Sequence, residues 1–330
     1  MKLYNPRAWF ALIFEFHRSD TFRKMIWVLL VFGLYAFGLT WVELHYREHF
    51  NFHSTIAVHS LLGFIMGLLL VFRTNTAYDR WWEGRKQWGA LVNSTRHFAY
   101  QLAALLPGPE YAEDRAALTR LIAAYPSALR HHLRRQDPAE TLRNLAADAP
   151  HGLQPGDLAV DAPQHVPNAI AAELYRRIAG WNRSGAITGE MLINLNKELA
   201  RFTDITGACE RILKTPVPFM YSRHTSRSLS VWCGTLPLVL VDVLGPATLP
   251  AMAALCWCIF GIEEIGHLIE QPFRSAAEDA RESFCFGLPV DALARGVADD
   301  VQRLTEQAGA LRQCLPPHEA PFLAHSTPQA

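Results

Sequence analysis

Apolar and charged positions divide the chain into long uncharged runs and amphipathic stretches. From Thr55 to Phe72 there is no Asp, Glu, Lys or Arg. At about 1.5 Å per residue, a helix over this run is about 27 Å long, close to the hydrocarbon thickness of a bilayer. Arg73, Asp79 and Arg80 then arrive with Trp81 and Trp82, an abrupt charged and aromatic end of the kind with which a membrane helix enters water. Met25 to Val42 is a second uncharged run. Two shorter ones, Ser228 to Val243 and Leu249 to Ile262, are joined by Leu244-Gly245-Pro246-Ala247-Thr248. Their lengths and the charges that flank them predict a membrane hairpin, and hence four spans in all.

Elsewhere the apolar positions recur at helical spacing among charges. After Tyr78, the residues Trp81, Trp82, Trp88, Leu91, Val92, Thr95, Phe98 and Leu102 continue the second span as an amphipathic helix to about Leu106, where Pro107-Gly108-Pro109 stops it. Further helices are predicted over about 111–135 with a kink at Pro126, after Pro138, over 168–181 and over 187–215. A last one covers 289–312. The stretch 148–168, rich in Pro, Gly, Asp and Ala, reads as an exposed loop, and Thr215-Pro216-Val217-Pro218 as a helix break. The chain accordingly divides into an amphipathic interfacial helix (1–24), two spans (25–77), a helical water-exposed region (78–222), two spans (223–265), a second helical region (266–312) and a disordered tail (313–330). No internal repeat is visible, which disfavours an inverted-repeat transporter.

Composition fits this mixture. Half of the 330 residues are hydrophobic, 19% are charged, and the formal net charge is zero, so nucleic acid is not indicated as a partner. The six cysteines form no CxxC pair and sit mostly in or beside apolar runs, which predicts reduced thiols. No cleavable signal peptide is evident. Basic residues before Met25 place the N-terminus in the cytoplasm. Four spans then return the C-terminus to the same side of an inner (plasma) membrane.

Motifs for phosphate cradles, dinucleotide binding, nucleophile elbows and HExxH zinc sites are absent, so enzymatic chemistry has no sequence support. His45, His49 and His53 fall four residues apart and would share one face of a helix, yet a polar loop carries such histidines without any metal. His59, inside the second span, can titrate in a pore or simply bond a neighbouring helix. Glu263 and Glu264 read as a solvated helix end. Within the second span, Phe64, Leu68 and Phe72 share one helical face, and Gly63 and Gly67 form a small-xxx-small pair beside it. Periodicity by itself favours a buried packing helix. The sharper reading has Phe64, Leu68 and Phe72 lining a pore and the two glycines at helix contacts.

Three blocks of residues resemble those of a known family. Phe72-Arg73-Thr74-Asn75, Tyr78-Asp79-Arg80-Trp81-Trp82-Glu83 and Arg85-Lys86-Gln87-Trp88-Gly89 form the first. Ala208-Cys209-Glu210-Arg211-Ile212 with Thr215-Pro216-Val217-Pro218-Phe219 and Tyr221 form the second, and Glu270-Gln271-Pro272-Phe273 the third. In this order they are similar to the signature of bacterial bestrophins, over about residues 1–312. The resemblance implies an all-α, four-transmembrane-helix bestrophin fold, a homopentamer in a lipid bilayer around one central pore that passes small monovalent ions. It carries no cofactor. It assigns a hydrophobic neck to Phe64, Leu68 and Phe72, and a cytosolic aperture to Met191 or Glu190. Arg80, Trp81, Trp82, Pro216 and Pro218 are family motif and packing positions. Chloride or another anion is the family-level expectation; a sodium-selective cation channel, or a non-conducting scaffold that binds a partner, is the alternative. The acidic run that holds calcium in animal members is broken here by Arg274, Arg281 and alanines, so no calcium dependence is expected.

Overall fold

The computed structural model describes residues 20–46, 56–105, 111–148, 152–159, 163–274 and 287–314. Among them there is no strand. Among the described residues nine α-helices follow one another: α1 Asp20–Tyr46, α2 Ile56–Leu105, α3 Ala112–Leu133, α4 Pro138–Ala147, α5 Val166–Arg183, α6 Gly189–Lys214, α7 Phe219–Leu244, α8 Thr248–Ile269 and α9 Val290–Cys314. The expected continuity of the second span with the amphipathic stretch is present as the single 50-residue α2. Residues Asp20–Lys24, expected in the interfacial helix, belong instead to α1, which also runs past Val42 to Tyr46. The remainder of the interfacial helix, together with His49, His53 and residues 315–330, lies outside the described residues.

Start and stop signals follow local chemistry. Asp137 accepts a hydrogen bond from the Glu140 amide at 3.1 Å, with Pro138 preset for the first turn of α4. His165 caps α5 by accepting from the Asn168 amide at 3.2 Å. Pro126 lies inside α3 without ending it. Between α6 and α7 the two prolines leave a four-residue connection, and the Pro218 carbonyl accepts the first hydrogen bonds of α7. Between α7 and α8 the chain reverses through the 3₁₀ turn Gly245–Ala247. Gly245 has φ 53° and ψ −127°, a conformation that a Cβ would strain.

The chain forms two compact units, Met1–Arg85 with Ile212–Pro289, and Lys86–Arg211 with Val290–Ala330. In the first unit α1, α7 and α8 pack on one another around Ala36, Cys233, Leu236, Met252 and Cys256, with Phe32 and Phe260 rings 5.4 Å apart. Among the described residues three stretches are long and apolar enough to cross a membrane: Met25–Tyr46, the first part of α2, and Met220–Ile269, the last folded as α7 and α8. Their outward side chains are large and apolar; Trp27, Val31 and Leu34 of α1 and Val231 of α7 are each more than 60% exposed. Such a surface is not stable against water and marks a membrane or partner face.

The second unit is built as a water-soluble protein is. Trp88, Leu91, Phe98 and Leu102 of α2, Leu118, Leu121, Ile122, Tyr125 and Leu129 of α3, and Leu195, Leu199, Phe202 and Ile205 of α6 are buried. The Phe202 ring lies 5.8 Å from Phe98 and 5.0 Å from Tyr125. The Tyr125 hydroxyl lies 2.7 Å from Thr206 Oγ1 and 3.0 Å from the Phe202 carbonyl, which it donates to, and burial raises its pKa above the ordinary phenol value. Arg120 grips Asp157 with two hydrogen bonds of 2.8 Å, and Arg176 and Arg177 converge on buried Glu173. Burial pushes both carboxyl pKa values up, but these cations, with the Gln154 amide at Asp157, outweigh it and hold both below the usual range.

Candidate functional site

In α2 the buried and half-buried positions His59, Gly63, Met66, Leu70, Arg73 and Ala77 alternate by four and three residues. Apart from Ser60, the residues that face away from this stripe are apolar through Phe72. Phe64 is 71% exposed, Phe72 55% and Leu68 46%, and Leu61 and Val71 beside them are exposed too. The stripe itself packs on α7. The Trp232 indole donates to the His59 carbonyl at 3.1 Å and covers Gly63, where an added Cβ would sit 2.9 Å from a ring carbon. His59 is buried, stacked on Trp232, with Nε2 3.2 Å from the Thr235 hydroxyl. Of its two readings, the bond to a neighbouring helix is the one observed. Gly67 has nothing within 4 Å of a built Cβ in the single chain.

Arg73 is not part of an exposed charged end. It is buried on the stripe and pairs with Glu263 of α8, which also accepts from Ser226 of α7 at 2.5 Å. The expectation that Glu263 is a solvated helix end is therefore corrected, since its side chain is only 12% exposed. The reason is register: α2 turns position 73 onto the same face as Leu70 and Ala77, and a guanidinium placed there needs a partner of opposite charge.

Arg80 joins the three sequence blocks. Its Nη2 donates to the Ile212 carbonyl at 2.6 Å, its Nη1 to the Thr215 carbonyl and its Nε to the Glu270 carbonyl at 3.2 Å. A cation thus satisfies carbonyls left open at the ends of α6 and α8, where the helix dipoles are negative. Phe273 and Leu288 close over Gly84, with the Leu288 amide bonded to the Pro272 carbonyl at 2.8 Å, and an added Cβ on Gly84 would lie 3.1–3.3 Å from their atoms. Trp81 is half-buried, Trp82 is exposed, and their rings stack with centroids 6.4 Å apart. Pro216 and Pro218 are exposed around buried Val217, and Tyr221 donates to the Leu69 carbonyl at 3.3 Å. Glu190 and Met191 stand in the first turn of α6, Glu190 exposed and Met191 half-exposed, with the Met191 amide 3.3 Å from the Thr188 hydroxyl.

Sequence reasoning missed the Arg73–Glu263–Ser226 cluster and the reach of Arg80. The signal for Arg73 was its place on the four-and-three stripe; nothing in the pattern singled out Glu263 from Glu264. His45, the described member of the histidine triplet, bonds its own helix through the Trp41 carbonyl at 3.0 Å. The histidines that do come together are two others, His132 and His165, which meet at Glu210.

The chain is similar to known proteins along most of its length. The chain is 30% identical over 306 residues to a voltage-dependent anion channel-forming protein of Synechocystis, covering 92% of this chain and 93% of that one. A protein of the same description from Mesorhizobium japonicum is 31% identical over 292 residues, covering 86% and 88%. Among solved structures, a bacterial bestrophin homologue from Klebsiella pneumoniae, carrying a single substitution, superposes with a TM-score of 0.75 at 25% identity, covering 86% of this chain and 99% of that one. Residues 2–303 match the model of the bacterial/fungal bestrophin protein, and the chain belongs to that family.

Proposed function

We propose that the protein is an ion channel of an inner membrane, a homopentamer in which the first part of α2 from each subunit lines one central pore. Four membrane helices, α1, the first part of α2, α7 and α8, would leave both termini in the cytoplasm. The observation that carries the reading is the exposed apolar face of α2 at Phe64, Leu68 and Phe72, in a chain whose relatives include anion channel-forming proteins.

Three stacked rings of apolar side chains resist wetting, so such a neck closes by dewetting and opens by a modest widening. The charge nearest to it is turned away. Arg73 follows Phe72 directly but lies on the buried stripe, neutralised by Glu263, so selectivity at the neck rests on the phenylalanine and leucine side chains themselves. Phenylalanine edges carry partial positive charge and favour anions. Calcium control is not expected.

A second reading has one specific observation in its favour. Glu190 is exposed in the first turn of α6, and if it rather than Met191 rings a cytosolic aperture, five carboxylates there would favour cations. Reversal potential in planar bilayers with asymmetric sodium chloride separates the two. A shift toward the chloride equilibrium potential supports anion conduction, and the opposite shift supports the cation channel. Absence of current from verified oligomers would contradict both.

A further inference from the structure

His132, His165 and Glu210 are brought together from three elements: the last turn of α3, the residue that caps α5, and the C-terminal part of α6 four residues before its end at Lys214. Nε2 of His132 lies 2.9 Å from Glu210 Oε1, and Nε2 of His165 lies 2.7 Å from the same oxygen. The two imidazole centroids are 4.0 Å apart. Each side chain keeps between 19% and 28% of its surface, so the cluster is sheltered yet open to a small solute.

From this juxtaposition we infer that His132, His165 and Glu210 form a binding site for a divalent transition-metal ion of the zinc type. Two imidazole nitrogens and one carboxylate oxygen suit zinc, whereas calcium and magnesium prefer oxygen alone. Zinc bonds to such ligands at about 2.0–2.1 Å, which in a tetrahedron separates the donor atoms by roughly 3.3 Å. The observed 2.7 and 2.9 Å are hydrogen-bond distances, so the metal replaces the bonding protons with an outward shift of about half an ångström. Three protein donors leave one tetrahedral position for water.

The metal has a structural consequence that the hydrogen-bonded form lacks. His165 Nδ1 accepts from the Asn168 amide, which puts the neutral ring's proton on Nε2, where it faces Glu210. Coordination through Nε2 moves that proton to Nδ1, and Nδ1 then ceases to accept. Zinc therefore exchanges the cap of α5 for a clip that ties α3, α5 and α6 together.

The test uses the full-length protein in detergent, stripped with a chelator and titrated with zinc chloride in a zinc-buffered solution. One zinc per chain, with affinity at least tenfold weaker in His132→Gln and Glu210→Gln and unchanged in His45→Gln, supports the site. No binding, or binding that those two variants leave unaltered, overturns it. Should the variants misfold, hydrogen exchange of the wild-type peptide over residues 166–171 decides. Exchange at the start of α5 that rises on zinc addition supports coordination through His165, and exchange unchanged by zinc contradicts it.

Discussion

Along α2 the stripe that begins at His59 continues through Gly84, Trp88, Leu91, Thr95, Phe98 and Leu102, all buried, yet the surroundings of that stripe change between Arg73 and Arg80. Before it, the remaining faces carry Leu61, Phe64, Leu68, Val71 and Phe72. After it, they carry Lys86, Asn93, Arg96 and His97, with Arg96 bonded to Asp300 at 3.0 Å. The packing rule is shared and the solvent is not. In water the hydrophobic effect itself selects which positions turn inward. In a bilayer both faces are apolar, so contacts are selected by shape, as at Gly63 under Trp232, and by polar partners, as at Arg73 with Glu263.

The largest effect expected from this contrast is at Arg73. Arg73→Ala leaves the Glu263 carboxylate buried without its cation and should cost about 3–5 kcal/mol, whereas replacing both by Met should restore much of that. Thermal unfolding followed by size-exclusion of detergent-solubilised protein measures both; a single variant as stable as the double would break the pairing argument. A comparable loss belongs to the second unit. Phe98→Ala opens a cavity against Phe202 and should cost about 3–5 kcal/mol, while Leu61→Ala on the exposed apolar face should cost about 0.5 kcal/mol or less. If Leu61→Ala proved as damaging, that face would be packed against protein and not open to a pore. Smaller still is the difference between the two glycines. Gly63→Ala must displace the Trp232 ring and should cost about 1–3 kcal/mol, and Gly67→Ala should be nearly neutral unless a neighbouring subunit supplies the contact. Differential melting of the two variants in one detergent sharpens where helix contact lies.

Helices were the most legible part, because the helical spacing of about 3.6 residues survives in both solvents. Leu195, Leu199, Phe202, Ile205, Cys209 and Ile212 are all buried as their spacing implies. Polar clusters were less legible. Arg73 and Glu263 lie 190 residues apart, and nothing local distinguishes a paired charge from a solvated one at a helix end. The same holds for His132 and His165, whose meeting at Glu210 depends on how three helices pack. The histidine triplet that spacing did single out includes His45, which bonds only within its own helix among the contacts found. The motif blocks were recognisable as blocks, but that Arg80 ties them through carbonyls could not be read from side-chain types, since a carbonyl acceptor leaves no mark in a sequence.

The central claim is that Phe64, Leu68 and Phe72 form a neck that controls ion flow. Single-channel recording of the wild type and of the Phe64→Ala, Leu68→Ala, Phe72→Ala triple variant in the same bilayer tests it most directly. A wider and less apolar ring stays wet, so open probability should rise several-fold in the triple variant with the oligomer intact. Unchanged open probability and unchanged conductance in that variant would contradict the account.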